Sequence, residues 1–125
     1  MESCFTYFCV RYNDNFNLED FKKELGLLDK MIHVKNSRKI IEIGLCKKFN
    51  IDVNIMVRES LRELFGKEKI LLKLKEKYDL EYYLERVVYL CKEDGVIHPI
   101  LSLDFDIVEF LYKTNTIDDL DYYVC

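Results

Sequence analysis

Residues 84–124 read LERVVYLCKEDGVIHPILSLDFDIVEFLYKTNTIDDLDYYV and contain three local patterns in close succession. An apolar, alternating run up to Leu90 is typical of a β-strand, and a helix start follows at Asp106. The acidic and aromatic run Ile117–Val124 indicates a second strand. Strand, helix and strand this close together predict a compact α+β domain. The stretch contains no catalytic constellation.

The helix in this stretch has the clearest start signal of the chain. Asp106 and Glu109 have the spacing of a capping box, and Phe105 and Phe110 that of a hydrophobic staple. Asn115 is the predicted terminator of the helix. The apolar residues that we expect on its buried side are Val108, Leu111 and Tyr112.

Upstream, the run from Phe5 to Tyr12 is apolar on both faces, which predicts a strand in the centre of a sheet. A polar turn follows, and Asn17 is the predicted N-cap of a short helix. Gly26 supplies the left-handed conformation that ends such a helix.

Residues 31–34 and 39–49 have the composition of two strands, and the polar turn between them predicts a hairpin. In the second strand, Ile41, Ile43 and Leu45 share one predicted face. Gly44 within it indicates a bulge or a close approach of two backbones.

Residues 56–78 have helical periodicity that Gly66 interrupts, so we expect two helical pieces hinged there. Residues 82–92 alternate as a strand, and the charges of Glu85 and Arg86 place its first half near a sheet edge. Residues 100–103 fit a short extension of strand.

The predicted element order is therefore β-α-β-β-α-β-α-β in one α+β domain over residues 1–125. Alternation with hairpins favours a single antiparallel or mixed sheet that carries helices mainly on one face.

The charge balance bears on the kind of partner. A net charge of −4 with 34% charged residues disfavours nucleic acid and favours a basic protein partner. The N-terminus lacks the pattern of a secretion signal, and the apolar runs are too short to span a membrane. We therefore predict a cytoplasmic protein with no membrane contact.

The residues that catalyse reactions or bind metals are few and dispersed. His33 and His98 lie in no triad or metal spacing, no serine lies in a nucleophile elbow, and no glycine-rich loop is present. The cysteines lie in no Cys-x-x-Cys pair, which predicts no zinc site and mostly buried thiols, with Cys125 the one expected to be exposed; they are Cys4, Cys9, Cys46, Cys91 and Cys125. We predict no enzyme activity, no cofactor and no metal.

Carboxylates and tyrosines are the more suggestive residues. Acidic groups cluster at the helix start (Asp104, Asp106, Glu109) and along the last strand, and such a cluster can be a solvated face, a partner-binding patch or a cation site. Tyrosines on the last two strands cannot all point inward, and at least two should show a ring to solvent or to a partner. The predicted partner-binding residues are Tyr82, Tyr83, Asp118, Asp119, Asp121, Tyr122 and Tyr123.

With these elements placed, the sequence resembles a family of mostly bacterial small domains known as domain-of-unknown-function family four-two-seven-nine. The likeness lies in YNDNFN with LGL, in KLKEKYDL with VVYL, and in PILSLD with DLDYYV, at residues 12–17, 25–27, 73–80, 87–90, 99–104 and 119–124. Leu28 stands where the family usually has proline, and the hairpin tryptophan of the family is absent, so a ligand of that hairpin does not carry over. The resemblance implies a small α+β fold similar to immunity proteins, without catalytic residues to transfer.

Three hypotheses about function follow from these observations. The first is a non-enzymatic immunity-type or inhibitor-type protein that masks a basic toxin or effector by contact. The second is a ligand-binding regulatory domain or small enzyme with a cleft between sheet and helices, using Asp14, His33, His98 and Asp104. The third is a homodimer formed through an edge strand.

Overall fold

The central strand of the sheet, β1, is flanked by antiparallel neighbours on both sides. The computed structural model describes residues 3–47, 52–90 and 101–124. In chain order the elements are β1 (Ser3–Arg11), α1 (Leu18–Leu25), a 3-10 turn (Asp29–Met31), β2 (Ile32–Lys35), β3 (Ile40–Lys47), α2 (Val53–Leu61), α3 (Glu68–Tyr78), β4 (Glu81–Leu90), α4 (Phe105–Lys113) and β5 (Ile117–Val124).

The five strands form one mixed sheet in the order β2-β3-β1-β4-β5. Only β4 and β5 run parallel, because α4 carries the chain back between them. The predicted α+β class, the mixed sheet and the central position of the first strand are confirmed.

The position predicted for the start of β4 was wrong. β4 lies between β1 and the edge strand β5, and its residues Glu85 and Arg86 are each paired with a neighbouring strand on both sides. Arg86 is nevertheless only 4% exposed, because its charge is neutralised by Asp118 on β5. A charged residue in a strand therefore indicated an internal ion pair here and not an edge.

The hydrophobic core lies between one side of the sheet and the four helices. Phe8 and Leu84 point from the sheet into the same cluster as Phe21 of α1, Met56 of α2 and Phe110 of α4. On the other side, Cys9, Ile40 and Val87 are buried but do not belong to this cluster. The helices thus cover one side, as the sequence predicts.

The local signals of the first half are confirmed. The Asp20 N–H donates to the Asn17 side chain at 3.0 Å, and Gly26 ends α1 with φ +67°. β2 and β3 form the predicted hairpin. Gly66, with φ +86°, lies between α2 and α3.

The prediction for Gly44 is also confirmed. A bulge at this position reverses the side of the sheet to which the following side chains point. The pairing register of β1 and β3 shifts between Thr6 and Phe8, which marks a bulge. Beyond the bulge Cys46 turns into the core, so Leu45 is exposed instead of sharing the buried side with Ile43. A β-carbon at Gly44 would lie 2.2 Å from the backbone oxygen of Ser60 in α2.

The capping prediction for α4 was wrong. The helix begins after Asp104, and the carboxylates of Asp104 and Asp106 both bind the Arg58 guanidinium of α2. Glu109 pairs with Lys113 one turn later. Phe105 is 81% exposed, so no staple with the buried Phe110 forms.

The prediction for the buried side of α4 was also partly wrong. Ile107, Phe110 and Leu111 face the core, whereas Val108 and Tyr112 are exposed. Both sets have helical spacing, and only the packing against the sheet selects between them. The helix terminator is confirmed, because Asn115 has φ +50°.

The close contact at Gly44 gives a stability prediction. Gly44→Ala adds a methyl group against the Ser60 carbonyl and also strains a positive φ, so we expect a loss of about 3 kcal/mol or more in unfolding free energy. Gly66→Ala is the matched control, since Gly66 also has positive φ but has no atom within 4 Å of the added carbon. We expect that variant to lose only about 1 kcal/mol. Urea unfolding of both variants measures the difference, and equal losses would contradict the account.

Candidate functional site

One side of the sheet is covered by none of the helices in the described residues, and we call it the open face. Strand register and side-chain alternation define it, because paired residues of neighbouring strands point to the same side. Its members on the strands β1, β3, β4 and β5 include Phe5, Tyr7, Cys9, Arg11, Ile40, Glu42, Lys47, Glu81, Tyr83, Glu85, Val87, Tyr89, Ile117, Asp119, Asp121 and Tyr123.

Three aromatic rings cross the open face from the centre to the β5 edge. The rings of Tyr89 and Tyr123 stack with centroids 4.8 Å apart and planes 14° from parallel, and Phe5 lies 6.3 Å from Tyr89. Tyr89 and Tyr123 remain 36% and 48% exposed. Toward the other end of β4, the Arg11 guanidinium lies over the Tyr83 ring. This part of the sheet therefore presents flat apolar area with polar tips to solvent.

Next to these rings, Glu85, Asp119 and Asp121 form what we call the acidic cluster. The parallel register pairs Glu85 with Asp119, and Asp121 follows on the same side of β5. Oxygens of the three carboxylates lie within 4.8 Å of one another. Burial, together with the negative charges of Asp119 and Asp121, raises the pKa of Glu85 to about 7. The cluster is therefore short of positive charge.

Carboxylates this close favour any cation that reaches them. Their oxygens are the ligand type of hard metal ions, and they equally accept hydrogen bonds from the ammonium or guanidinium group of a partner protein. The surrounding tyrosines are the residue type that most often anchors protein interfaces. The arrangement can therefore accept either a metal ion or a cationic side chain.

A depression of about 400 Å³ lies beside the cluster, lined by Tyr7, Cys9, Arg11, Arg38, Ile40 and Glu85. Burial first, and the charge of Glu85 second, raises the pKa of the Cys9 thiol to about 12. Burial also raises the pKa of the Tyr7 hydroxyl. Both groups stay protonated at neutral pH, so neither is an activated nucleophile.

The structure brings only some of the predicted partner-binding residues together. Tyr83, Asp119, Asp121 and Tyr123 lie on the open face. Tyr122 points to the helix side of the sheet and is 39% exposed there. The prediction that at least two of the four strand tyrosines show a ring is confirmed by Tyr122 and Tyr123.

Two residues of the predicted set have structural roles instead. Tyr82 is 1% exposed, and its hydroxyl donates to the Leu71 carbonyl at 2.6 Å, so it cannot contact a partner. Asp118 points to the helix side and binds the Arg86 guanidinium through both oxygens, at 2.6 and 2.9 Å. Alternation along each strand explains both corrections, since Tyr82 and Asp118 have the opposite parity to Tyr83 and Asp119.

Three residues of the site were missing from the predicted set, namely Glu85, Tyr89 and Phe5. Glu85 and Tyr89 share the parity of Tyr83 on β4, which is a signal that the sequence contains. Their approach to β5 depends on the parallel pairing of β4 and β5, which no local pattern specifies.

The residues suggested for a cleft between sheet and helices lie on different elements and have different partners. Asp14 binds Lys39 of the hairpin at 2.6 Å, and Asp104 binds Arg58. His33 is exposed on β2. His98 lies outside the described residues.

The thiols that the structure describes agree with the prediction. Cys4, Cys9 and Cys46 are all buried. Cys91 and Cys125 fall outside the described ranges.

No family model, curated protein or solved structure matches the chain. The resemblance to the family of unknown function thus stays a prediction. Within residues 3–47, 52–90 and 101–124, no helix is both long and apolar enough to reach across a membrane.

The raised pKa of Glu85 predicts a pH-dependent stability. A carboxyl with a pKa of about 7 in the folded chain, above its ordinary value of 4.5, binds its proton more tightly when folded, so folding loses stability as pH rises between these values. Glu85→Gln does not titrate. We expect it to be more stable than the natural chain by about 1 kcal/mol above neutral pH, allowing for solvent screening, and to lose this advantage by about pH 4.5.

Unfolding of both proteins in urea at several pH values measures the effect. Glu24→Gln, on the exposed side of α1, is the control and should show no such trend. A pH-independent difference between Glu85→Gln and the natural chain would contradict the assignment.

Proposed function

We propose that this protein is a non-enzymatic protein-binding domain of the immunity or inhibitor type, which neutralises a toxin or effector by direct contact. The observation that carries the proposal is the adjacency of the acidic cluster and the stacked rings of Tyr89 and Tyr123 on a sheet face that no described helix covers. A basic partner surface complements both features.

The two features contribute to binding in different ways. Negative charge speeds the encounter with a basic partner and selects it, while buried aromatic area supplies most of the affinity. A partner cation near Glu85 would favour the ionised carboxylate and so lower its raised pKa. Binding would therefore release a proton and strengthen as pH rises toward neutrality.

Protonated side chains in the neighbouring depression support the non-enzymatic part of the proposal. Cys9 and Tyr7 hold their protons at neutral pH, and the candidate residues Asp14 and Asp104 are engaged in ion pairs elsewhere. We place the action of the protein in the cytoplasm, a reducing compartment that suits its buried thiols. The resemblance to family four-two-seven-nine belongs to the same proposal.

Growth rescue tests the proposal. Each gene adjacent to the one encoding this chain is expressed in a host cell, with and without this protein, and growth is measured. We expect one neighbour to arrest growth and this protein to restore it. The double variant Asp119→Lys/Asp121→Lys should lose the rescue and weaken the isolated complex by about a hundredfold or more, because it puts like charges at the interface.

The control is Glu24→Lys/Glu76→Lys, which makes the same change in net charge on exposed positions of α1 and α3, away from the open face. It should rescue growth as the natural protein does. Equal rescue by the two double variants would show that the acidic cluster is not part of the interface. A rescue that needs turnover of a small molecule by this protein would refute the proposal itself.

A further inference from the structure

Contact through the open face would leave the outer edge of β5 free to pair with another strand. Among the strands in the described part of the chain, β5 is paired on one side only, with β4. Alternate backbone N–H and C=O groups of an edge strand point outward and can pair with another extended segment. β5 runs over the eight residues Ile117–Val124, which is long enough to pair with a whole strand.

The two sides of this edge differ in chemistry. On the open face, Asp119 and Asp121 line the edge. On the helix side, the edge meets a depression of about 430 Å³ whose lining includes Leu103, Val108, Tyr112 and Asp118.

Two exposed apolar side chains of α4 line this same depression. Tyr112 is 82% exposed and Val108 is 48% exposed, although both are on a helix whose other side is buried. Leu120 and Tyr122 of β5, which point to the helix side, are 36% and 39% exposed. An amphipathic strand paired with β5 would therefore contact acidic side chains on one side and apolar side chains on the other.

We propose that the partner adds an extended segment to β5 as a further strand of the sheet. Its Lys or Arg side chains, at every second position, face Asp119 and Asp121, and the apolar side chains between them face the α4 depression. Main-chain hydrogen bonds supply affinity and the alternating side chains supply specificity. This inference rests on the proposed protein-binding function and names the form of the segment that the partner presents.

A second copy of the chain is a poor occupant of the edge. In an antiparallel pair of β5 strands centred on Leu120, Asp119 of one copy would lie opposite Asp121 of the other. Like charges directly opposite each other destabilise a strand pair. The aspartates thus protect the edge from self-association while they leave it open to a basic strand.

Synthetic peptides test the proposal without knowledge of the partner. The blocked peptide KVKIKVK has the required alternation, and KKVIVKK has the same composition without it. A third peptide has the sequence KVKIKVK with methylated backbone amides, which keeps the charge and removes the hydrogen-bond donors. Titration calorimetry gives each dissociation constant, and NMR reports the amides of β5.

We expect KVKIKVK to bind with a dissociation constant of about 100 μM, as befits one short strand. The other two peptides should bind at least about tenfold more weakly. On binding of KVKIKVK, the β5 amides that point away from β4 should shift and become protected from exchange. Asp119→Asn/Asp121→Asn should weaken binding about tenfold, whereas Glu24→Gln/Glu76→Gln should leave it unchanged.

Equal binding of the natural and methylated peptides would show attraction by charge alone and would overturn the proposal. No binding of KVKIKVK at about 1 mM would do so as well. If sedimentation shows that the protein self-associates and that β5 variants unable to form strand pairs do not, the occupant of the edge is a second copy and not a basic segment. Growth rescue that persists beside any of these results would leave the protein-binding function standing and confine the failure to strand addition.

Discussion

The ion pair between Arg86 and Asp118 is the contact on which the arrangement of the candidate site depends. The Arg86 side chain, on the central part of β4, is 5% exposed, and its guanidinium also donates to the Leu101 carbonyl at 2.6 Å. It therefore joins β4, β5 and the segment that leads into α4. A buried arginine is costly without its partner, so Asp118 must face it. That requirement fixes the parity of every other residue on β5.

The arrangement of the candidate binding surface follows from this parity. With Asp118 turned inward, Asp119, Asp121 and Tyr123 turn outward, next to Glu85 and Tyr89 of β4. Asp118 stabilises the sheet. Asp119 and Asp121 instead lie close to Glu85, and burial together with their negative charges raises the pKa of Glu85. The acidic cluster thus carries an electrostatic strain that a bound cation would relieve, and such strain is more typical of a binding surface than of a structural one.

Local signals in the sequence predicted much of the fold, because they act over a few residues. The cap at Asn17 and the left-handed Gly26 needed only their own backbone chemistry, and Gly44 indicated a bulge or a close backbone approach because it has no side chain. Long-range pairing decided the rest. Arg86 looked like an edge residue because its partner Asp118 lies on the neighbouring parallel strand, and Asp106 looked like a capping residue because its partner Arg58 is distant in sequence. The surface tyrosines were predicted as a group, but the packing of β4 decided that Tyr82 is buried and Tyr83 is not.

Hydrogen exchange of two neighbouring variants tests the role of the Arg86 pair most directly. Asp118→Asn leaves a buried guanidinium without its counter-charge, so the account predicts that the β5 amides exchange about tenfold faster or more, while those of β1 and β3 change little. Asp119→Asn makes the same chemical change one residue away, where it relieves repulsion, and should leave β5 as protected as before. Equal protection of β5 in the two variants would contradict the account.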